Sequence, residues 1–126
     1  MTDTTAVIDW DEAMQQCGDD EEFLRELLSD LRSETDTQMA TMEEIIQNPS
    51  EGNPFIQICR AAHVIKGAAS NLMCPDLRKT SMDLESAATG ANDAENKEKL
   101  AEVKEKFESL KVAVQNYHDH LKELDV

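Results

Sequence analysis

Four residues in one stretch, His63, Lys66, Gly67 and Ser70, have the types and the spacing to do chemistry. They stand at i, i+3, i+4 and i+7, and at about 100° per residue these offsets fall on one side of an α-helix. A histidine there has three uses: a structural side chain, a metal ligand, or a nucleophile that takes and gives a group covalently. A metal site asks for carboxylates or further histidines one turn away. Those positions hold Lys66 and Gly67, and a cation beside a bound metal is unfavourable. His118 and His120 are two apart, so on a helix they point in different directions and do not chelate as a pair. They read as solvated residues near a helix C-terminus, where an imidazolium suits the dipole. No metal and no cofactor are expected. No G-x-S-x-G, HExxH or glycine-rich phosphate loop occurs, which makes an autonomous enzyme a poor fit.

Nucleophilic chemistry at the imidazole remains. An imidazole near the surface, with its ordinary pKa of about 6.5, is mostly neutral near pH 7, and a neutral ring nitrogen can accept a phosphoryl group. That group would bring about two negative charges. Lys66 is placed to neutralise them and Ser70 to offer a hydroxyl donor. A glycine inside a helix costs roughly 1 kcal/mol against alanine. Gly67 falls on the side away from the core, so what it supplies is room for another molecule to reach the ring.

The elements that carry this stretch are legible from periodicity. Phe55, Ile58, Ala62, Ile65, Ala69 and Leu72 form an apolar stripe beside the polar face. They predict a helix capped by Asn53, with Pro54 at its first position, running to about Met73. Before it, Asn48 to Pro54 breaks the chain. The run Phe23, Leu24, Leu27, Leu28, Leu31, Thr35, Met39, Met42, Ile45 and Ile46 predicts one long helix, opened by a capping box at Asp19 and Glu22. Its outer face, with Glu21, Glu26, Asp30, Glu34, Glu43 and Glu44, reads as solvated. Asp9 and Glu12 form a second box that starts a short helix bearing Trp10, Ala13, Met14 and Cys17, stopped by Gly18 in a left-handed cap. Trp10 is expected to close one end of the core.

Cys74-Pro75-Asp76 ends the central helix and starts another, marked by Leu77, Thr80, Ser81, Leu84 and Ala88 and closed at Thr89-Gly90. Asn92 or Asp93 opens the last helix. Its seam, Leu100, Val103, Phe107, Leu110, Val114, Tyr117, Leu121 and Leu124, suits either a bundle side or a coiled-coil partner. Nothing reads as a strand. The expectation is an all-α, antiparallel up-down-up-down four-helix bundle with a short extra N-terminal helix. Residues 1–8 are expected to be a loose tail and 9–126 one domain.

With a net charge of −15 over 126 residues, binding to nucleic acid or to an anionic membrane surface is disfavoured, since both require an excess of Lys and Arg. Cys17, Cys59 and Cys74 have no CxxC spacing and form an odd set, as reduced thiols do. The N-terminus lacks a signal peptide, and no apolar run reaches membrane length. A cytoplasmic monomer is expected, also nuclear if the cell is eukaryotic. The initiating Met and the full set of helices point to a free-standing protein.

The segment His63-Val64-Ile65-Lys66-Gly67-Ala68-Ala69-Ser70-Asn71-Leu72 resembles the H-x-x-K-G signature of histidine-containing phosphotransfer (HPt) domains of two-component phosphorelays. Ile8-Asp9-Trp10 and Leu84-Glu85-Ser86-Ala87-Ala88 are similar to that family too, so the likeness covers nearly the whole chain. The resemblance implies that His63 is the phosphoacceptor, Lys66 stabilises the phosphoryl group and Gly67 is the small residue beside the ring. Many members carry a second glycine six residues after the first, where this chain has Met73. The implied action is a shuttle from a receiver-domain aspartate to His63 and on to a second receiver's aspartate. Partners would be the receiver domains of a hybrid histidine kinase and of response regulators, and any Mg²⁺ would belong to them. Ile56, Cys59, Arg60 and Val64 are the expected docking residues. No kinase dimerisation motif or ATP-binding segment is present. The competing reading is an acidic helical adaptor or coiled-coil dimerisation module that uses the last helix and in which His63 is incidental.

Overall fold

The computed structural model describes residues 7–47, 54–89 and 97–126. Five helices carry the chain: α1 (Trp10–Gln16), α2 (Glu21–Gln47), α3 (Pro54–Asn71), α4 (Pro75–Thr89) and α5 (Lys97–Glu123). Among the described residues there is no strand. Helix α2 packs on α3, α3 on α4, α4 on α5 and α5 back on α2, which closes a four-helix bundle, while α1 rests on α2. The loop expected at 48–53 and the helix start expected at Asn92 or Asp93 lie outside the described residues.

The caps show how local chemistry sets the boundaries. The Glu12 N–H donates to Asp9 Oδ1 at 3.3 Å, as a capping residue requires. The other half of the expected box is replaced, because the Asp9 N–H donates to the Met73 carbonyl at 2.8 Å and so ties the start of α1 to the end of α3. At the end of α1, Gly18 is left-handed, with φ +65. The Asp19 N–H reaches the Met14 carbonyl and the Gly18 N–H that of Gln15, a Schellman closure. Asp19 is itself left-handed, with φ +61. It therefore belongs to the turn, and the cap of α2 moves one residue on: Asp20 Oδ1 accepts the Phe23 N–H at 3.0 Å. The expected box at Asp19 and Glu22 does not form.

Val7 and Ile8 are buried, held there by the Asp9 bond, and belong to the core rather than to the tail in which the sequence placed them. All six residues of the α3 stripe, Phe55, Ile58, Ala62, Ile65, Ala69 and Leu72, are buried as expected. Trp10 packs half-buried against the same core. On α5 the seam residues Val103, Phe107, Leu110, Val114, Tyr117 and Leu121 are buried too. The seam is consumed inside the bundle, which leaves no such face for a coiled-coil partner.

Tyr117 shows how α5 is keyed to α2. Its hydroxyl, fully buried, donates to the Leu28 carbonyl at 2.6 Å, and burial pushes the phenol far above its usual range. Tyr117→Phe is expected to cost about 1 kcal/mol, since the carbonyl keeps its helical partner and one net hydrogen bond is lost. A lower urea midpoint at unchanged slope would confirm it. Arg25 and Arg32 of α2 donate to the Leu124 and Val126 backbone oxygens at 2.6 and 2.8 Å, serving carbonyls that the end of α5 leaves without helical partners.

His118 and His120 are half-buried rather than fully solvated. Their side chains are 23% and 15% exposed, and His118 Nε2 meets Asp36 Oδ1 at 3.1 Å. They flank the buried seam positions Tyr117 and Leu121, so their stems are covered by the neighbouring side chains.

Helix α3 ends at Asn71 rather than Met73. The Cys74 N–H donates to the Ala69 carbonyl at 2.9 Å and the Met73 N–H to that of Ser70 at 3.4 Å, a Schellman cap with Met73 in the left-handed position, φ +57. This is the position at which the sequence resemblance leads one to expect glycine. A left-handed residue with a Cβ costs roughly 1–2 kcal/mol, against less than 1 kcal/mol of extra chain entropy for glycine. Met73→Gly is therefore expected to raise the melting temperature by a few degrees. A fall would mean that the half-buried thioether contributes more packing than the strain costs. Among the cysteines, Cys74 is buried and its thiol is pushed up to about 12 by that burial. Cys17 and Cys59 are half-buried and free.

Candidate functional site

Helices α3 and α4 are joined by the tight cap at residues 72–74 and lie antiparallel, so their facing residues run in opposite order. Cys59 Sγ lies 3.2 Å from Thr89 Oγ1. One turn further along α3 and one turn back along α4, His63 Nδ1 lies 3.2 Å from Glu85 Oε1. The other oxygen, Glu85 Oε2, is sealed from solvent and forms an ion pair with Lys66 Nζ at 2.8 Å. One carboxylate thus joins the imidazole and the ammonium.

The His63 side chain is 65% exposed, Lys66 27% and Glu85 21%. The ring stands at the edge of the packed stripe, where its spacing placed it. Burial by itself would raise the Glu85 carboxyl, but hydrogen bonds and charge attraction from Lys66 and His63 outweigh it and hold the group below its ordinary 4.5. The carboxylate is therefore the form that sits between the imidazole and the ammonium near neutral pH.

Gly67 is exposed, and a Cβ added there would meet nothing within 4 Å. No neighbour in the fold requires a glycine, and the space beside the ring is open to solvent. Ser70 stands apart from this group. Its hydroxyl donates to the Lys66 carbonyl at 2.9 Å, and seven residues of helix place it about 10 Å along the axis from His63. Of the expected docking residues, Ile56 and Val64 are 48% and 39% exposed, Arg60 is exposed and Cys59 half-buried. Met82 of α4 is also an exposed apolar side chain, at 37%.

Glu85 is the principal residue that sequence reasoning missed. It appeared only within the likeness at Leu84-Glu85, with no role assigned. Its place opposite His63 follows from the hairpin register, 22 residues away, which helical periodicity does not encode.

On the opposite flank of α3, Cys17, Phe23, Leu27, Leu31, Ala68 and Leu72 line an open groove against α1 and α2, with Asp30 and Glu34 at its edge. Among the described residues, no helix is long and apolar enough to cross a membrane, and no group of three or more His, Cys, Asp or Glu side chains is placed to hold a metal ion.

Comparison with known proteins agrees with this architecture. A family model described as the Hpt domain matches residues 26–124, well over half of the 126 residues and including His63, Lys66, Gly67 and Glu85. The chain is similar in structure to the crystal structure of the HPT domain from the Hpt sensor hybrid histidine kinase from Shewanella. The TM-score is 0.66 and the identity 15%, with 98% of this chain and 100% of that chain covered. At that identity the likeness speaks for the fold. No curated protein matches the chain by sequence.

Proposed function

We propose that this chain, which belongs to the Hpt domain family, accepts a phosphoryl group on His63 from a receiver-domain aspartate and passes it to the aspartate of a second receiver. Hpt domains carry phosphoryl groups in two-component phosphorelays, where they interact with receiver domains and are carriers rather than kinases. The observation that carries the assignment to His63 is the 65% exposure of its ring next to a glycine with open space around it and a lysine one turn away.

In this reading the aspartyl phosphate approaches over Gly67, and a ring nitrogen of His63 attacks the phosphorus in line. Lys66 has three N–H donors, one engaged by Glu85, and turns another toward the phosphoryl oxygens as they arrive. Ser70 has no part in the first contact, because its proton is used within the helix. The donor and acceptor receivers, from a hybrid histidine kinase and from response regulators, dock over Ile56, Cys59, Arg60 and Val64, with the chain acting as a cytoplasmic monomer. Burial of the α5 seam within the bundle counts against the coiled-coil form of the adaptor alternative.

The test is incubation with a radiolabelled, phosphorylated receiver domain. Label should appear on this chain and be labile in acid and stable in base, as a phosphoramidate is. No label, or one that survives acid, ends the reading.

A further inference from the structure

The chain has 27 Asp and Glu against 12 Lys and Arg and a net charge of −15, yet its charge is unevenly placed. Helix α3 runs for 18 residues and contains Arg60 and Lys66 but no Asp or Glu. Each of the other helices carries at least two acidic residues. The helix that bears His63 is therefore a positive strip on a negative molecule.

Its two cations differ in what they face. Lys66 is largely neutralised by Glu85 at 2.8 Å. Arg60 is exposed, and among the described residues no ion pair ties it down. It stands one turn before His63 and seven residues before Gly67, so on the helix it shares a side with the open space beside the ring. Asp30 and Glu34, at the edge of the groove between α2 and α3, limit the positive surface on that flank. Charges more than about 10 Å apart are largely screened at 0.1 M salt. An approaching group at Arg60 thus responds to α3 more than to the acidic residues across the bundle.

We infer that the α3 face is an electropositive landing surface with Arg60 as its free cation. It captures the anionic face of a partner, while the acidic remainder of the chain repels that face in other orientations. This deepens the proposed transfer and rests on it for the partner's identity. A receiver's aspartyl phosphate brings about two negative charges, and the carboxylates that hold its Mg²⁺ add to them. Two acidic proteins repel on average, so fast association requires the attraction to be local. Arg60 engages the anion at the encounter and guides it toward Gly67, before Lys66 meets the phosphoryl oxygens.

Two measurements on the full chain test this. The first needs no partner: anionic and cationic nitroxides of matched size are added to ¹⁵N-labelled protein, and the relaxation of each backbone amide is compared. Around Arg60 and Gly67 the anionic nitroxide should relax the amides more, and along the exposed side of α2 the cationic one should. Arg60→Glu should abolish the anionic preference. Lys104→Glu, an equal charge change at an exposed position of α5, should leave it intact. The second is the second-order rate of label transfer from a phosphorylated receiver of acidic net charge, between about 0.02 and 0.2 M ionic strength. The native rate should fall several-fold as salt rises. Arg60→Glu should be slower by about tenfold at low salt and converge on the native rate at high salt, while Lys104→Glu stays within about twofold throughout. A cationic preference at α3, a native rate that rises with salt, or equal slowing by the two substitutions overturns the inference, because net charge alone would then govern the encounter. A chain that shows the anionic preference yet takes no label counts against the relay reading alone.

Discussion

A His63→Gln chain is expected to take up no acid-labile label from a phosphorylated receiver while keeping its fold. Glutamine has no nucleophilic ring nitrogen, so the loss is complete rather than graded. The substitution is structurally mild. The side chain it replaces is 65% exposed, and a glutamine amide can still donate toward Glu85. Exposed sites of this kind usually change stability by no more than about 0.5 kcal/mol, so the melting temperature should move by only a few degrees. Residual acid-labile label would place the acceptor on another histidine. His118, with its Nε2 atom closed off from solvent beside Asp36, and His120, 15% exposed, are poorly placed for that.

The second large effect separates stability from function at Gly67. Because a Cβ there meets no neighbouring atom within 4 Å, removing the helix glycine should stabilise the bundle. The gain is about 1 kcal/mol for Gly67→Ala and somewhat less for Gly67→Leu. The same side chain occupies the space one turn from His63 through which the phosphoryl donor must come. A displacement of about 1 Å from the in-line geometry costs on the order of 100-fold in rate. Gly67→Leu is therefore expected to slow labelling by at least that factor, with Gly67→Ala between it and the native chain, while both melt higher. If Gly67→Leu transferred at the native rate, the open space would have no part in the approach and the glycine would be without a functional account.

Much of this was open to reading along the chain. The α3 stripe, the α5 seam, the Gly18 cap and the break at Pro75 all arise from patterns within a few residues, where the helical repeat and cap chemistry act directly. The same locality set the outward face of His63 and Gly67. Caps were less secure where two acidic residues stood side by side. Whether Asp19 or Asp20 caps α2 depends on how many left-handed residues close α1, and the structure shows two, Gly18 and Asp19. Ser70 shares a face with His63, but on a helix surface a hydroxyl has the i−4 carbonyl within reach, and at Ser70 that bond forms.

Periodicity and capping operate over one or two turns, and they suffice to make the chain a helical bundle in which one outward imidazole shares a helix face with a lysine and an unforced glycine. Tertiary structure decided what those side chains touch. The packing of α3 on α4 sets Glu85 between His63 and Lys66, Val7 and Ile8 enter the core beside the bond from Asp9 to Met73, and the contact of α5 with α2 covers His118. Each of these contacts joins segments far apart along the chain, in a register that local patterns do not encode. That register is settled by the joint burial of all the helices rather than by any single one.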